Sequence, residues 1–380
     1  MPAADRPLVV HLLNRFATGG LENGVVNLIN RMPQFRHAVV AVTEVTEFKA
    51  RVTAPDVQFH ALHKPPGQGL WLYPKLWRLL RELRPAVVHT RNLGAMEFLI
   101  PAWAAGVPLR LHSEHGWDMD DLGGSNPRYR RMRRFYARFA HHFIALSGAI
   151  QEYLRGPVGL APDRVSRICN GVDTERFHPG ATPPADWPFR RGEHLVIGTV
   201  GRQQQVKDPL ALVEAFLQLR TRCPAHWPRL RLAMLGDGPL LAQARARLAE
   251  AGAAEQSWLP GDRSDVPALL PQFDIFALPS RAEGISNTLL EAGACGCARV
   301  ATRVGGNEEL IKDEATGLLV PAENSEALAA ALARLIETPS LRESLARDGL
   351  AEVRQRFGLD VMVAAYASLY GGREHPHPWG

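Results

Sequence analysis

"FDIFALPSRAEGISNTLLEAGACG", residues 273–296, is the stretch on which the fold turns. Its opening, Phe273 to Ser280, is a short apolar run that reads as a buried strand. The later "NTLLEAGAC" reads as a helix, with Ser286 placed as its N-cap and Asn287, Thr288 and Leu289 in its first turn. Glu283 then lies on the strand-to-helix loop and Glu291 in the second turn. Helical side chains lean toward the helix N-terminus, so Glu291 turns to the same mouth as Glu283. Between the two carboxylates lie unpaired backbone N–H groups carrying partial positive charge, a place for phosphate.

Working outward, the same strand–loop–helix alternation recurs on both sides. After the first half comes a series made of "LVIGTVG" (195–201), "RLRLAMLGDG" (229–238), "SWLPG" (257–261), the opening stretch and "ARVAT" (298–302). Before it, strands are expected at Val9–Leu13, Ala38–Thr43, Val87–Thr90, Arg110–Glu114, Phe143–Ser147 and Val165–Cys169. Helices fit between them at Glu22–Arg31, Pro74–Arg84 and Pro127–Ala140. Alternation of this kind builds parallel sheets covered by helices, and 380 residues suit two such domains. The segment "HPGATPPADWPFRRGE" (178–193) reads as a linker or excursion between them, and Ser325 to Tyr370 as helical. The fold class is therefore α/β, with two Rossmann-like doubly wound parallel-sheet domains whose ligands bind beyond the carboxyl ends of the strands.

Composition bounds the rest. Hydrophobic residues make up 46% and charged residues 22%, a globular balance. No signal-peptide pattern precedes Leu8, and the longest apolar stretch, Met96 to Leu109, is broken by Glu97, Pro101 and Pro108, so a cytoplasmic protein is expected. Cys169, Cys223, Cys295 and Cys297 show no disulfide framework. Cys295-Gly296-Cys297 lacks a second ligand pair, which favours reduced core thiols over zinc.

The loops after the strands carry the candidate chemistry. "FATGGLENG" (16–24) brings Gly19 and Gly20 close to any ligand, and its departure from the GxGxxG pattern argues against NAD. His115 in "HSEHGWD" (112–118) stands at a strand end. "DMDD" (118–121) offers an Asp-x-Asp to a hard cation, but a solvated loop is favoured, and no metal is expected. "VGRQQQVKDP" (200–209) supplies Arg202 and Lys207, the charges that a buried diphosphate needs. "LGDGP" (235–239) and "RVGGNEELI" (303–311) are further glycine turns, the second opening a helix at Asn307.

Gly19-Gly20, Arg202 with Lys207, the Glu283-x7-Glu291 pair, Gly305-Gly306-Asn307 and "NGVDTERFHP" (170–179) together resemble the large retaining glycosyltransferase family four, of the GT-B fold, over essentially the whole chain. More narrowly, "HLLNRFATGGLENGVVNLIN" (11–30), "HTRNLGAMEF" (89–98) and "SEHGWD" (113–118) resemble sugar transferases associated with bacterial exosortase/PEP-CTERM systems and exopolysaccharide loci. The resemblance implies two domains facing across a cleft: residues 1–170 for the acceptor and 171–357 for the nucleotide-sugar donor, with 358–380 crossing back. It implies that Glu283 bonds hydroxyls of the donor sugar and Glu291 the ribose diol. Arg202 and Lys207 would neutralise the diphosphate. Gly19, Gly20, Gly284, Ser286, Asn287 and Thr288 would line the donor site, and His115 would stand near the anomeric centre. Retention of configuration is implied too, with a nucleotide sugar as substrate and no cofactor. The chain departs from the usual family pattern at Arg202-Gln203-Gln204-Gln205-Val206-Lys207, which lacks an acidic residue before the lysine. It departs again at Ile285-Ser286, where Phe-Pro is more usual. Both leave the choice of donor open.

Charge is unevenly shared. Residues 1–170 hold 22 Lys and Arg against 13 Asp and Glu, whereas the remainder holds 22 against 26. "PRYRRMRRFYARFAHHF" (127–143) reads as a helix with Tyr129, Met132, Phe135, Tyr136, Phe139 and Phe143 on one face and Arg128, Arg131, Arg134 and Arg138 on another. Lys75, Arg78, Arg81 and Arg84 form a second cationic stripe. These are either the wet faces of covering helices or the means by which the first domain meets an anionic membrane carrying a lipid-linked acceptor. No nucleic-acid recognition motif accompanies the charge. An epimerase of the same architecture and a two-lobed sugar-binding protein remain as alternatives to a transferase.

Overall fold

The two runs of alternation become two purely parallel sheets. The computed structural model describes residues 6–67, 69–117, 121 and 123–372. Its first sheet holds β1 (Leu8–Leu13), β2 (Arg36–Ala41), β3 (Gln58–Ala61), β4 (Val87–Arg91), β5 (Leu109–Glu114), β6 (His142–Ala145) and β7 (Val165–Arg167). The strands lie in the order β3-β2-β1-β4-β5-β6-β7. The second sheet holds β8 (Leu195–Val200), β9 (Leu230–Leu235), β10 (Ser257–Gly261), β11 (Ile275–Leu278), β12 (Ala298–Thr302) and β13 (Leu318–Val320), in the order β10-β9-β8-β11-β12-β13. Central strands such as β1 and β11 are buried at every residue, as strands covered by helices on both faces must be. The chain divides into one unit that runs to Gly171 and resumes at Leu359, and a second, Val172–Gly358.

Two strands escape the sequence pattern. β3 has four residues, none fully buried, and β13 has three; both lie at sheet edges, where a strand needs no continuous apolar run. The Pro-rich segment is no linker. Phe189 is buried, and Trp187 meets Trp258 and Phe273 at ring-centroid distances of 5.2 and 6.1 Å, so the segment is folded onto the second unit. In the first unit the closing helix Leu359–Tyr370 is held by a 2.9 Å hydrogen bond between Tyr370 Oη and His89 Nδ1.

The helix expected over 127–140 also needs correction. The α-helix is Pro127–Tyr136, followed by a 3-10 turn over Ala137–Phe139. Phe135, assigned to the apolar face, is exposed, and the buried residue of this helix is Arg133. Its Nε donates to Glu114 Oε1 at 2.7 Å and its Nη2 to Oε2 at 3.3 Å, a two-pronged pair only 3% and 2% exposed. Burial alone would raise the Glu114 pKa. His112, whose Nε2 stands 3.5 Å from Glu114 Oε1, and the charge of Arg133 reverse that and pull it down to about 2. Sequence periodicity has no means of recognising a buried ion pair, because it counts Arg as polar.

Glu114→Gln leaves the Arg133 charge buried without a counter-ion. It should cost about 3–5 kcal/mol in urea unfolding at pH 7. The wild-type pair contributes fully above the ordinary Glu value of 4.5 and loses its contribution as pH falls toward 2. That component of the acid dependence should be absent from the variant.

Candidate functional site

In the second sheet β8 and β11 are neighbours, although β9 and β10 come between them in sequence. The strand order therefore reverses there, and the loops leaving the two carboxyl ends part to open a crevice. From β8 the chain passes exposed Arg202 and a 3-10 turn, Gln205–Lys207, before the helix Pro209–Arg222. From β11 it passes Pro279 to Ser286 before the helix Asn287–Ala294. Ser286 caps that helix as its sequence position predicts, its Oγ accepting from the Leu289 N–H at 3.3 Å.

The two loops are tied by charge. Lys207 Nζ lies 2.5 Å from Glu283 Oε1, and Ser280 Oγ donates to the same oxygen at 2.6 Å. Among the described residues nothing bonds Glu283 Oε2, and nothing pairs with the Arg202 guanidinium. Arg281 reinforces the junction: its N–H donates to Val206 O (2.9 Å), and its guanidinium pairs with Asp208 (2.9 Å) and Glu323 (3.0 Å). Underneath lies the turn after β12. Gly306 N–H donates to Gly284 O at 2.8 Å, and a Cβ on Gly305, whose φ is 50°, would stand 1.9 Å from Glu283 O. Only glycine lets this turn support the glutamate loop so closely. Glu291 lies one helical turn further in. Its burial outweighs the charge of Arg176 and pushes its pKa up to about 7.

In the first sheet the order reverses between β1 and β4. Gly19 precedes the helix Gly20–Arg31, and the Glu22 side chain folds back over it. Burial raises the Glu22 pKa against the opposing charges of Arg91 and Arg15. His115, just past β5, is partly exposed. Its Nε2 meets Ser113 Oγ at 2.7 Å, and its N–H donates to Asn92 Oδ1, also at 2.7 Å. Burial, then the charge of Arg91, push its pKa down to about 3, so the imidazole is neutral.

Arg91 itself is 1% exposed and fixes a row of histidine tautomers. It donates to His11 Nδ1 (3.1 Å) and His89 Nδ1 (3.2 Å), so both of those nitrogens are acceptors. His11 Nε2–H then donates to His37 Nδ1 (3.1 Å), and His37 Nε2–H to Met32 O (3.1 Å).

The structure thus gathers Arg202, Lys207, Glu283, Gly284, Ser286, Asn287, Thr288 and Glu291 about one crevice of the second unit. Gly19, Gly20 and His115 lie beyond strand ends of the first. Ser280, Asp208, Arg281 and Asn92 were missed, and no spacing signal marks them. Asp118 and Asp120 of the Asp-x-Asp loop lie outside the described residues. Asp121 accepts from Asn126 N–H at 2.9 Å, a turn-building role. Among the described residues no group of three His, Cys, Asp or Glu could hold a metal ion. All four cysteines are buried, and none forms a disulfide.

Comparison with known proteins bears on the whole chain. The family model described as Glycosyltransferase Family 4 matches residues 18–176, and that described as Glycosyl transferases group 1 matches 194–338. D-inositol 3-phosphate glycosyltransferases of Actinosynnema mirum and Saccharomonospora viridis are 31% and 35% identical. The first alignment covers 70% of this chain and 67% of the relative; the second covers 55% of this chain and spans only half of the relative's length. An Escherichia coli UDP-Gal:alpha-D-GlcNAc-diphosphoundecaprenol alpha-1,3-galactosyltransferase is 28% identical over 69% of each chain. The lipopolysaccharide core biosynthesis mannosyltransferase LpsB of Rhizobium meliloti is 29% identical over 83% of this chain and 84% of its own. The crystal structure of Anabaena HepE in complex with UDP superposes with a TM-score of 0.80 at 21% identity, covering 96% of this chain and 99% of that one. With two parallel-sheet units and this likeness, the fold is GT-B.

The raised Glu291 pKa has a stability consequence. The unfolded chain releases this proton near 4.5 and the folded one near 7, so folding stability falls as pH rises through that window. Melting temperatures of wild type and Glu291→Gln, recorded from pH 4 to 8, should diverge steadily across it, with the variant lacking that decline.

Proposed function

We propose that this chain, which belongs to glycosyltransferase family 4, moves a sugar from a nucleotide-diphosphate sugar to a lipid-linked or saccharide acceptor, with retention, in the making of a cell-surface or exported polysaccharide. The observation that carries the reading is the placement of Arg202 and Lys207 against the Glu283 loop at the switch point of the second sheet. A departing nucleoside diphosphate gathers negative charge as the glycosidic bond lengthens. Two cations there, Lys207 held by Glu283 and Arg202 free to turn to the ligand, stabilise that state more than the ground state, which lowers the barrier. This assigns to side chains the work that a metal ion does elsewhere, so the reaction is metal-independent.

The remaining roles follow from position. Glu283 Oε2 is open to sugar hydroxyls while Oε1 holds Lys207. Glu291 accepts from the ribose diol once ionised. Gly284, Ser286, Asn287 and Thr288 offer the electropositive start of a helix to phosphate. In the first unit Gly19 and Gly20 allow close approach, and neutral His115 orients donor or acceptor. The E. coli relative, named for a diphosphoundecaprenol acceptor, and LpsB, named for lipopolysaccharide core synthesis, support a lipid-linked acceptor and a surface glycan. The link to exosortase-associated exopolysaccharide loci rests on the motifs at 11–30, 89–98 and 113–118.

The first unit also offers a surface for lipid. Arg128, Arg131 and Arg138 are exposed, while Arg134 spends its guanidinium on the carbonyls of Val158 and Pro157. In the same unit Trp71, Trp77, Trp103 and Phe135 are 59%, 40%, 54% and 46% exposed. Phe139 packs between Trp103 and Phe135 at ring-centroid distances of 5.4 and 5.9 Å, and Trp77 Nε1 donates to Ala104 O. Aromatic rings among arginines suit the headgroup level of an anionic bilayer. No described helix is long and apolar enough to cross a membrane, so the reading is of a peripheral enzyme at the cytoplasmic face.

Thermal shifts with UDP, GDP, ADP and CMP in EDTA test the donor site. One nucleotide at a hundred times its Kd should stabilise the wild type by about 2.7 kcal/mol, and Glu291→Ala should lose the shift. No shift with any of them would overturn the reading. For the surface, flotation with anionic liposomes at low salt should carry the wild type up. The Trp71→Ser/Trp103→Ser variant should stay behind, and a wild type that stays behind sinks the membrane reading.

A further inference from the structure

At the end of β4, Asn92 has φ 57° and ψ 167°. This is not the left-handed helical region that asparagine tolerates. It belongs to the region that essentially only glycine enters, where any Cβ is strained. The position is also an N-cap, since the helix Leu93–Met96 begins at the next residue. Asparagine is favoured at N-caps because its side chain can accept from the helix's first N–H groups. Here it makes no such bond. Its Oδ1 instead accepts from the His115 N–H at 2.7 Å, while the Asn92 N–H donates to Ser113 O at 2.8 Å. The residue thus gives up both a relaxed backbone and its capping bond, and spends its side chain across the sheet on the loop beyond β5.

We propose that Asn92 is a positioning residue that holds His115 in place for the transfer chemistry. Strain in a folded chain persists where the surroundings over-determine it, and it concentrates at functional sites. The ring of His115 is fixed at one end by Ser113 Oγ and its backbone at the other by Asn92. Asn92 lies at the β1–β4 switch point, where Gly94 of the following turn sits against the Asn14 side chain beyond β1. The role of His115 rests on the transferase reading; the clamp on its backbone does not.

The test uses Asn92→Gly and Asn92→Asp in the full chain. Glycine accepts this backbone without strain but loses the bond to the His115 N–H and adds freedom to the unfolded chain, costs that oppose the relief. Its melting temperature should therefore stay near the wild type's. The His115 amide should exchange with deuterium faster, and kcat should fall about tenfold or more with KM for the nucleotide sugar little changed. Asn92→Asp, which keeps an acceptor oxygen, should restore slow exchange and most of kcat. Unchanged amide exchange or unchanged kcat in Asn92→Gly overturns the proposal. If the wild type turns over no nucleotide sugar, the transferase reading fails separately, and the exchange measurement still decides whether Asn92 clamps His115.

Discussion

A parallel strand cannot turn straight back into its neighbour. It must be followed by a crossover, and crossovers in one sheet share one hand. Where successive strands are added first to one side of β8 and then to the other, the loops leaving β8 and β11 diverge, and the space between them is left unfilled by any helix. Everything in the candidate donor site depends on that geometry. Arg202 and Lys207 come from one bank and Ser280 to Asn287 from the other. The Gly305-Gly306 turn, from the next strand over, closes the floor beneath Glu283. Five residues separate Arg202 from Lys207 and eight separate Glu283 from Glu291. Those spacings mean little on their own; what joins the pairs is a reversal of strand order seventy residues apart in the chain.

The first unit faces a different difficulty, the burial of charge. Arg133 has Glu114, and the desolvation of both is offset by two hydrogen bonds and their mutual attraction. Arg91 has no carboxylate among its hydrogen-bond partners. Its charge is spread over imidazole nitrogens and a backbone carbonyl, all oriented as acceptors. One consequence is that the surrounding histidines are held neutral: His11 and His89 well below their usual range, and His115 at about 3. In each case burial is the larger cause and Arg91 adds to it. A neutral imidazole beyond β5, its ring held by Ser113 Oγ, is suited to orienting a hydroxyl and unsuited to titrating near neutrality.

Legibility in the sequence followed the physics of each element. Strands buried on both faces announce themselves as apolar runs, so the central strands were placed within about two residues, the usual uncertainty of such boundaries. The edge strands β3 and β13 were missed because they bury too little to need such a run. Ser286 was legible because an N-cap is a local rule. The place of Glu291 within the helix was legible, though its raised pKa depends on burial, which periodicity does not report. The burial of Arg133 was not legible, since its partner Glu114 lies on another element. Asn92 and Ser280 carried no signal, because what marks them is a dihedral angle in one case and a shared carboxylate oxygen in the other.

The shared oxygen bears on how the donor site works. Lys207 is paired with Glu283 before any ligand arrives, so a diphosphate meets one uncommitted cation, Arg202, and one that is half-neutralised. A lysine ammonium has three donors and no fixed plane, so it can keep Glu283 on one side and take a phosphate oxygen on the other without moving its stem. Glu283 in turn is held by Lys207 and Ser280 at Oε1, which leaves its other oxygen without a hydrogen bond among the described residues. On the proposed reading, binding a sugar hydroxyl there would cost little reorganisation, and attraction between Lys207 and the phosphate would strengthen as negative charge moves onto the leaving group. The pair would then interact weakly with the bound donor and strongly with the separating one, the differential binding that catalysis requires. An Arg at position 207 would match two carboxylate oxygens at once and consume the free one, so the choice of Lys here is itself part of the site's chemistry.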